Sequence, residues 1–158
     1  MAKAGRPYLN ASRKRVETLG NESKTMSTII GDQSGTSLDS GIIYIVTAAA
    51  ASSAKTITLP KIGTGGQYVK VIWAVASDAQ ETIIAATGSD KIQGNILWLD
   101  SDTAAKTDDM DVVCTNGVSI SVHDNIEPGS MIELLSNGTA WYIVASNIIA
   151  TATPSVAT

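Results

Sequence analysis

The sequence predicts an all-β fold, specifically an antiparallel β-sandwich or a jelly-roll-like barrel with an extended N-terminal arm. From Gly41 to Asn147, short runs rich in Ile, Val, Thr and aromatic residues alternate with turn signals, about every ten residues. Composition agrees, because the chain has 18 Ile and 11 Val but no Phe. β-Branched side chains suit a pleated sheet and lose freedom in helices. The 158 residues fit a single domain with a buried core.

The chain divides into an N-terminal arm, residues 1–40, and a β-sandwich body, residues 41–158, with a short polar C-terminal tail. The arm has little periodic hydrophobicity and is interrupted by glycine and proline. Residues 13–19 could form one or two helical turns ending at Gly20, but so short a helix is marginal alone. We therefore expect the arm to become ordered only against another surface.

Nine strands are predicted in the body. Alternation in the second of them places Ile57 and Leu59 on one face and two threonines on the other. Asn116-Gly117 and Asn137-Gly138 each lie between two such runs and predict β-hairpins with type I′ turns. Pro128-Gly129 marks a further reversal. The predicted strands are Gly41–Thr47, Lys55–Pro60, Gln67–Val75, Glu81–Ala86, Lys91–Leu99, Asp111–Thr115, Val118–Val122, Met131–Leu135 and Thr139–Val144.

Charge is distributed unevenly along the chain. The net charge is −4, but residues 1–25 carry +4 and the remaining residues carry −8. A basic segment on an acidic body favours pairing with an acidic protein surface. We expect no nucleic-acid partner, because no aromatic residues interleave with Arg13-Lys14-Arg15 and the acidic body would repel phosphates. No apolar run is long enough for a membrane helix, and no signal peptide is evident, so we expect synthesis in a cytoplasm without a membrane partner.

Two residues are candidates for catalysis. His123 is the single imidazole, but no Gly-x-Ser-x-Gly elbow accompanies it, which favours an ordinary loop histidine. Cys114 is the single cysteine and lies beside Val112 and Val113, as an inert buried thiol would. The sequence therefore predicts a protein that is not an enzyme.

Two further segments are candidates for ligand binding. Five aspartates near one loop could gather around a hard cation, although their spacing fits no EF-hand and solvated acids are the simpler interpretation. The glycine-rich stretch 63–66 lacks the Lys-Ser/Thr of a P-loop and precedes a strand, which favours a simple turn. We therefore expect no metal and no cofactor. The aspartates are Asp100, Asp102, Asp108, Asp109 and Asp111.

Several segments together resemble a family of small structural proteins of tailed phages. The pattern is a strand ending in Leu-Pro, a glycine turn and a second strand, then Asp-x-Ile-x-Gly, Gly-x-x-Ile-x-Leu and Asn-Gly-x-x-Trp. It covers about 90 of the 158 residues. The chain is similar to the capsid decoration, or cement, proteins of marine and cyanobacterial phages. The segments are 57–60, 67–71, 90–94, 129–134 and 136–144.

This resemblance implies a homotrimer that binds the major capsid protein on the outer surface of the virion and stabilises the lattice without catalysis. A dimer is the second choice. The basic residues of the arm are the expected capsid-binding residues: Lys3, Arg6, Arg13, Lys14 and Arg15. The main alternative is a tail-fibre or head-fibre module that binds a receptor or glycan through loops such as Asp100–Asp109. A hydrolase on a β-sandwich would need paired acids or a triad, which the sequence does not offer.

Overall fold

The structure is a computed structural model that describes residues 26–29, 36–37, 40–46, 54–63, 66–76, 81–101, 110–122 and 125–158. These residues form twelve β-strands and no helix. The strands are β1 (Met26–Ile29), β2 (Thr36–Ser37), β3 (Ile42–Val46), β4 (Lys55–Thr58), β5 (Tyr68–Trp73), β6 (Thr82–Ala85), β7 (Ile92–Asp100), β8 (Met110–Gly117), β9 (Ser119–Val122), β10 (Met131–Ser136), β11 (Trp141–Ala150) and β12 (Ser155–Ala157).

The strands assemble into two sheets. The seven-stranded sheet has the order β1-β3-β5-β10-β11-β7-β8, and the five-stranded sheet has the order β12-β9-β6-β4-β2. The all-β prediction is therefore confirmed, and each of the nine predicted strands is present. The barrel alternative is wrong, because neither sheet closes and each keeps two edge strands among the described residues.

The first six strands alternate between the two sheets. Odd-numbered strands enter the seven-stranded sheet and even-numbered strands enter the five-stranded sheet. Each of these strands consequently lies beside the strand two positions away in sequence, and the pairing is parallel. Ile42 pairs with Val69 between β3 and β5, and Lys55 pairs with Thr82 between β4 and β6. The prediction of antiparallel pairing is wrong for this half.

The last six strands pair mostly antiparallel. β7 pairs with β8, β10 with β11, and β9 with both β6 and β12, all antiparallel. The exception is β11, which lies parallel to β7 and joins the two hairpins into one sheet.

The two Asn-Gly signals have different outcomes. Asn137-Gly138 does connect a hairpin, β10 to β11, with Ser136 paired to Trp141. The loop has four residues, however, and only Gly138 has a positive φ, at 94°, so it is not a type I′ turn. The Asn137 side-chain oxygen accepts hydrogen bonds from the backbone N–H groups of Thr139 and Ala140, at 2.9 and 3.1 Å.

At Asn116-Gly117 the hairpin prediction is wrong. β8 lies in the seven-stranded sheet and β9 in the five-stranded sheet, so the chain changes sheets at this corner. Asn116 has a φ of 54°, but Gly117 is not in the positive region that a type I′ turn requires. Gly117 is needed for a different reason. A Cβ there would lie 2.6 Å from the Cys114 sulfur and 2.8 Å from a Val156 methyl.

The buried faces of both sheets form one hydrophobic cluster. Trp73 and Trp141 are its largest fully buried members, and the predicted inward pair Ile57 and Leu59 is confirmed as buried. Two sheets over a shared core are the part of the sandwich prediction that the structure supports. The cluster contains Tyr44, Val46, Ile57, Leu59, Val69, Val71, Trp73, Ile84, Ile92, Ile96, Trp98, Cys114, Ile120, Val122, Ile126, Ile132, Leu134, Trp141, Ile148 and Ala150.

Strands also form in two segments where none was predicted, the arm and the C-terminal tail. β1 and β2 fall inside the predicted arm, yet each adds an edge strand, β1 beside β3 and β2 beside β4. The sheets therefore begin before residue 41. At the other end, the predicted polar tail contributes β12, which pairs with β9, and Pro154 is buried. Residues 1–25 lie outside the described residues.

Candidate functional site

Large hydrophobic side chains are exposed together on one side of the seven-stranded sheet. Val113 is 65 % exposed and Val144 is 53 % exposed, and the others are between 37 and 41 % exposed. They belong to four neighbouring strands, β10, β11, β7 and β8. We call this set the outer patch: Leu97, Val113, Leu135, Tyr142 and Val144.

Strand register places these residues on the same face. Leu135 pairs with Tyr142 across β10 and β11, and Tyr142 pairs in turn with Gln93 on β7. Farther along, Leu97 pairs with Asp111 on β8, and Asn95 pairs with Val113. Paired residues share a face, and residues two apart on one strand do as well. The opposite face of these strands is the buried core.

The ladder between β11 and β7 is interrupted at the centre of the patch. Regular pairing stops after Tyr142 and Gln93 and resumes at Ile148 and Trp98. In the gap, the Ser146 hydroxyl accepts a hydrogen bond from the Leu97 N–H at 2.8 Å and donates one to the Asn95 carbonyl at 3.3 Å. One side chain thus replaces part of the missing backbone pairing.

A glycine permits the strands to approach closely at this interruption. Gly94 has a φ of 126°, and a Cβ there would lie 3.0 Å from both the Cβ and the carbonyl oxygen of Ile143. A bulge on β11 follows, because the register with β10 shifts between Glu133 and Leu134. The extra residue is Val144, which points outward. An open, shallow depression of about 500 Å³ lies at this interruption, and two residues of the outer patch, Leu97 and Val144, line it.

Charges are sparse around the outer patch. Lys70 and Glu133 lie 3.4 Å apart on β5 and β10 and neutralise each other. Burial raises the pKa of Tyr68 above its ordinary value, and the charge and hydrogen bond of Glu133 raise it further. Asp111 is exposed beside Leu97, and in the part of the chain that the structure describes no ion-pair partner accompanies it.

The predicted arm residues cannot be placed on this surface. Lys3, Arg6, Arg13, Lys14 and Arg15 all lie outside the described residues. Their role as capsid-binding residues stays a prediction.

The residues considered for catalysis offer no assembled site. His123 lies outside the described residues. Cys114 is buried on β8, where its thiol donates a hydrogen bond to the Ile92 carbonyl at 3.2 Å. Burial raises the pKa of this thiol, and a hydrogen bond with the Gly117 backbone only partly opposes the shift. A protonated, enclosed thiol is a poor nucleophile.

The residues considered for ligand binding are dispersed or only partly described. Asp100 is half-buried and Asp111 is exposed, while Asp102, Asp108 and Asp109 lie outside the described residues. No group of three metal-binding side chains occurs among the residues the structure describes. The glycine-rich stretch leads into β5 as expected, with the Gln67 side chain accepting a bond from the Gly63 N–H at 3.0 Å.

Sequence reasoning identified the strands of the outer patch but not the patch itself. The available signal was in residues 141–144, where both alternating faces of the strand are apolar. One face, with Trp141, enters the core, and the other, with Tyr142 and Val144, remains exposed. A strand that is apolar on both faces indicates a sheet covered on both sides.

Comparisons with known proteins supply no family. No family model matches this sequence, and no curated protein matches it either. In the described residues, no helix has the length and apolarity needed to cross a membrane.

Proposed function

We propose that this chain is a non-catalytic structural protein of a phage virion, a capsid decoration protein that binds the outside of an assembled capsid. The observation that carries the proposal is the outer patch, with five exposed hydrophobic side chains on one face of a sheet. An exposed apolar surface of this kind, bordered by few charges, is typical of a protein interface.

Two surfaces have separate roles in this proposal. The outer patch buries against other copies of the chain in a homotrimer, since loss of exposed apolar area drives association. The basic residues 1–25 contact the acidic surface of the major capsid protein. Three such segments on one trimer bind at high effective concentration, so weak individual contacts suffice.

Binding to purified capsids tests the function directly. Capsids lacking this protein are mixed with it and recovered by sedimentation, and we expect the protein to sediment with them and raise the temperature at which they rupture. Arg13→Glu combined with Arg15→Glu should weaken attachment, and added salt should weaken attachment of the unmodified protein through screening. Glu127→Gln, an exposed acid outside the outer patch, is the matched control and should leave attachment unchanged.

Two results would contradict the proposal. One is failure of capsids to retain the protein at low salt. The other is binding to host cells or polysaccharide in its place, which would support the fibre module.

Self-association is measured separately by light scattering. Val113→Asp places a charge in the outer patch without touching the core and should reduce the particle mass toward one chain. Ile83→Asp on the outer face of the five-stranded sheet is the control and should leave the mass unchanged. A monomeric unmodified protein would contradict the trimer.

A further inference from the structure

We infer that the body meets the acidic surface of the capsid with one end of its strands, the end that carries Lys61 and Lys91. The inference rests on the proposed function, since it states which surface of the body faces the partner proposed there. The outer patch lies on the face of the seven-stranded sheet, so contact at the end of the strands leaves the patch available for the homotrimer.

Strand direction separates the charged residues into two ends. β3, β5, β7 and β11 run the same way, because β3 is parallel to β5, β11 is parallel to β7, and β10 is antiparallel to both β5 and β11. β7 and β11 begin beside Lys91, whose carbonyl accepts a hydrogen bond from the Trp141 N–H at 2.8 Å. The Ile62 N–H donates to the Asp90 carboxylate at 2.7 Å, which joins the connection after β4 to the same end. We call this end, with Lys61, Asp90 and Lys91, the lysine end.

Four of the six described Asp and Glu side chains lie at the opposite end, which we call the acidic end. Asp100 is the last residue of β7, and Asp111 is the second residue of β8. The Glu127 N–H donates to the Ile149 carbonyl near the last residue of β11. Glu81 immediately precedes β6, which runs parallel to β4 toward the lysine end.

The two ends consequently differ in charge. The described residues give the lysine end two cations against one carboxylate, and the acidic end four carboxylates against one cation, the buried Lys55. The nine residues of β7 separate the two ends by about 30 Å, at about 3.3 Å per residue. Screening at physiological salt acts over about 8 Å, so a partner responds to the charge of the end that it approaches. An acidic surface is therefore attracted to the lysine end and repelled by the acidic end.

The strongly basic residues 1–25 are attached to the body at the lysine end. Met26 is the first residue of β1, and β1 is parallel to β3, so the chain enters the sheet at this end. The net charge of +4 on residues 1–25 is thus tethered at the same end as Lys61 and Lys91. Strand direction and the distribution of charge along the chain agree on the end that attracts an acidic partner.

Hydrogen bonds between loops give the lysine end a fixed shape. The Gln67 side chain accepts a hydrogen bond from the Gly63 N–H at 3.0 Å and donates one to the Lys61 carbonyl at 3.1 Å. The Thr87 hydroxyl donates to the Leu59 carbonyl. Both lysines of this end are held by their backbone, and among the described residues neither ammonium forms an ion pair with a carboxylate. A surface that is already ordered loses little conformational entropy on binding.

The homotrimer of the proposed function allows three such ends to act together. In a ring of three copies whose axis runs along the strands, all three lysine ends point the same way. Contacts of the three ends with one capsid then reinforce each other through high effective concentration.

Photo-crosslinking to capsids that lack the protein identifies the end that makes contact. A benzophenone is attached through Ser89→Cys at the lysine end or, in a separate sample, through Thr151→Cys, which follows β11 at the acidic end. Both positions are exposed, and the buried Cys114 stays unlabelled. We expect the Ser89→Cys sample to cross-link to the major capsid protein and the Thr151→Cys sample not to do so. Equal yields, or a cross-link from the acidic end alone, would overturn the inference.

Variants matched in net charge separate local attraction from the charge of the whole chain. Lys61→Gln with Lys91→Gln removes two positive charges at the lysine end. Thr151→Asp with Thr153→Asp adds two negative charges at exposed positions of the acidic end, so both variants lower the net charge equally. The lysine variant should weaken attachment at low salt by at least about threefold, since two charge contacts are lost per chain. The aspartate variant should leave attachment unchanged. Equal weakening in both variants, or none in the lysine variant, would contradict the inference.

Failure of this inference is distinguishable from failure of the proposed function. Capsids that do not retain the unmodified protein refute the proposed function. Capsids that retain the protein but cross-link through the acidic end, or through neither end, refute this inference alone.

Discussion

The two halves of this molecule build the same sheets by different routes. In β1 to β6, consecutive strands enter opposite sheets and their neighbours are parallel, two positions apart in sequence. In β7 to β12, most neighbours are antiparallel, and one pair, β10 and β11, is a hairpin with a four-residue loop. The first half changes sheet at every connection, whereas the second half stays within one sheet at two of its five connections, β7 to β8 and β10 to β11.

Connection length alone does not decide between the two routes. The first half, β1 to β6, uses connections of four to nine residues, over 30–35, 38–41, 47–54, 59–67 and 74–81. In the other half, however, β8 and β9 are separated by Val118 alone, and they still enter different sheets. The number of residues between strands limits the possible partners, but packing at the corner selects among them.

The largest effect should come from the tryptophans that anchor the two halves in the shared core. Trp73 is the last residue of β5 in the first half, and Trp141 is the first residue of β11 in the second half. Both side chains are fully buried. Trp73→Ala and Trp141→Ala should each lower the free energy of unfolding by about 3–5 kcal/mol, because each leaves a large cavity. Urea unfolding monitored by circular dichroism measures both losses.

Equal losses would mean that both halves depend on the core to the same degree. If one half can unfold without the other, the corresponding variant should show two transitions where the unmodified protein shows one. A loss below about 1 kcal/mol for either variant would contradict the burial of that indole.

The next largest effect is expected at the corner between β8 and β9. Gly117→Ala puts a methyl group against the Cys114 sulfur and Val156, at distances that require the strands to shift. Overpacking of this kind costs about 1–3 kcal/mol. Gly63→Ala is the control, because nothing lies within 4 Å of its added Cβ and its φ is not positive. Similar melting temperatures for the two variants would show that the corner is not tightly packed.

A smaller effect is expected at the hairpin loop. Gly138 has a φ of 94°, so Gly138→Val should cost more than about 1 kcal/mol through backbone strain. Gly138→Asn should cost less, because Asn tolerates positive φ better than a β-branched residue does. Thermal unfolding of both variants gives the difference, and a valine variant as stable as the asparagine variant would refute the strain.

Local signals in the sequence correctly predicted which face of a strand is buried and where the chain reverses. Alternation requires only that a strand have one buried face, and it correctly identified Ile57 on β4 and Leu59 just after it as buried. Asn137-Gly138 predicted a reversal at the right place, since Gly138 is needed for a positive φ. These features depend on neighbours in sequence.

Strand partners and the outer patch depend on distant residues and could not be predicted in the same way. Asn116-Gly117 has the same dipeptide as the hairpin loop, but Gly117 is required by its approach to Val156 on β12, about forty residues later. Likewise, Val113 is exposed because nothing among the described residues covers the outer face of β8, which local sequence does not specify. The arm residues offered for capsid binding remain a prediction from charge alone.

The smallest expected effect is a loss of stability in alkali, with one contribution from each half. The pKa of the Cys114 thiol is raised above its ordinary 9.0, mainly by burial, and that of Tyr68 is raised above its ordinary 10.0. In both cases the unfolded chain releases its proton at a lower pH than the folded chain does. The stabilisation that these two groups contribute is therefore fully present below about pH 9, and it is lost as the pH rises toward the pKa of each group in the folded chain.

Urea unfolding between about pH 8 and pH 11 separates the two contributions. Cys114→Ala should remove the loss of stability that begins at lower pH, and Tyr68→Phe should remove the loss that begins at higher pH. Each substitution removes the titrating group of one half of the molecule. A decline that is unchanged in both variants would place the alkaline sensitivity elsewhere in the chain.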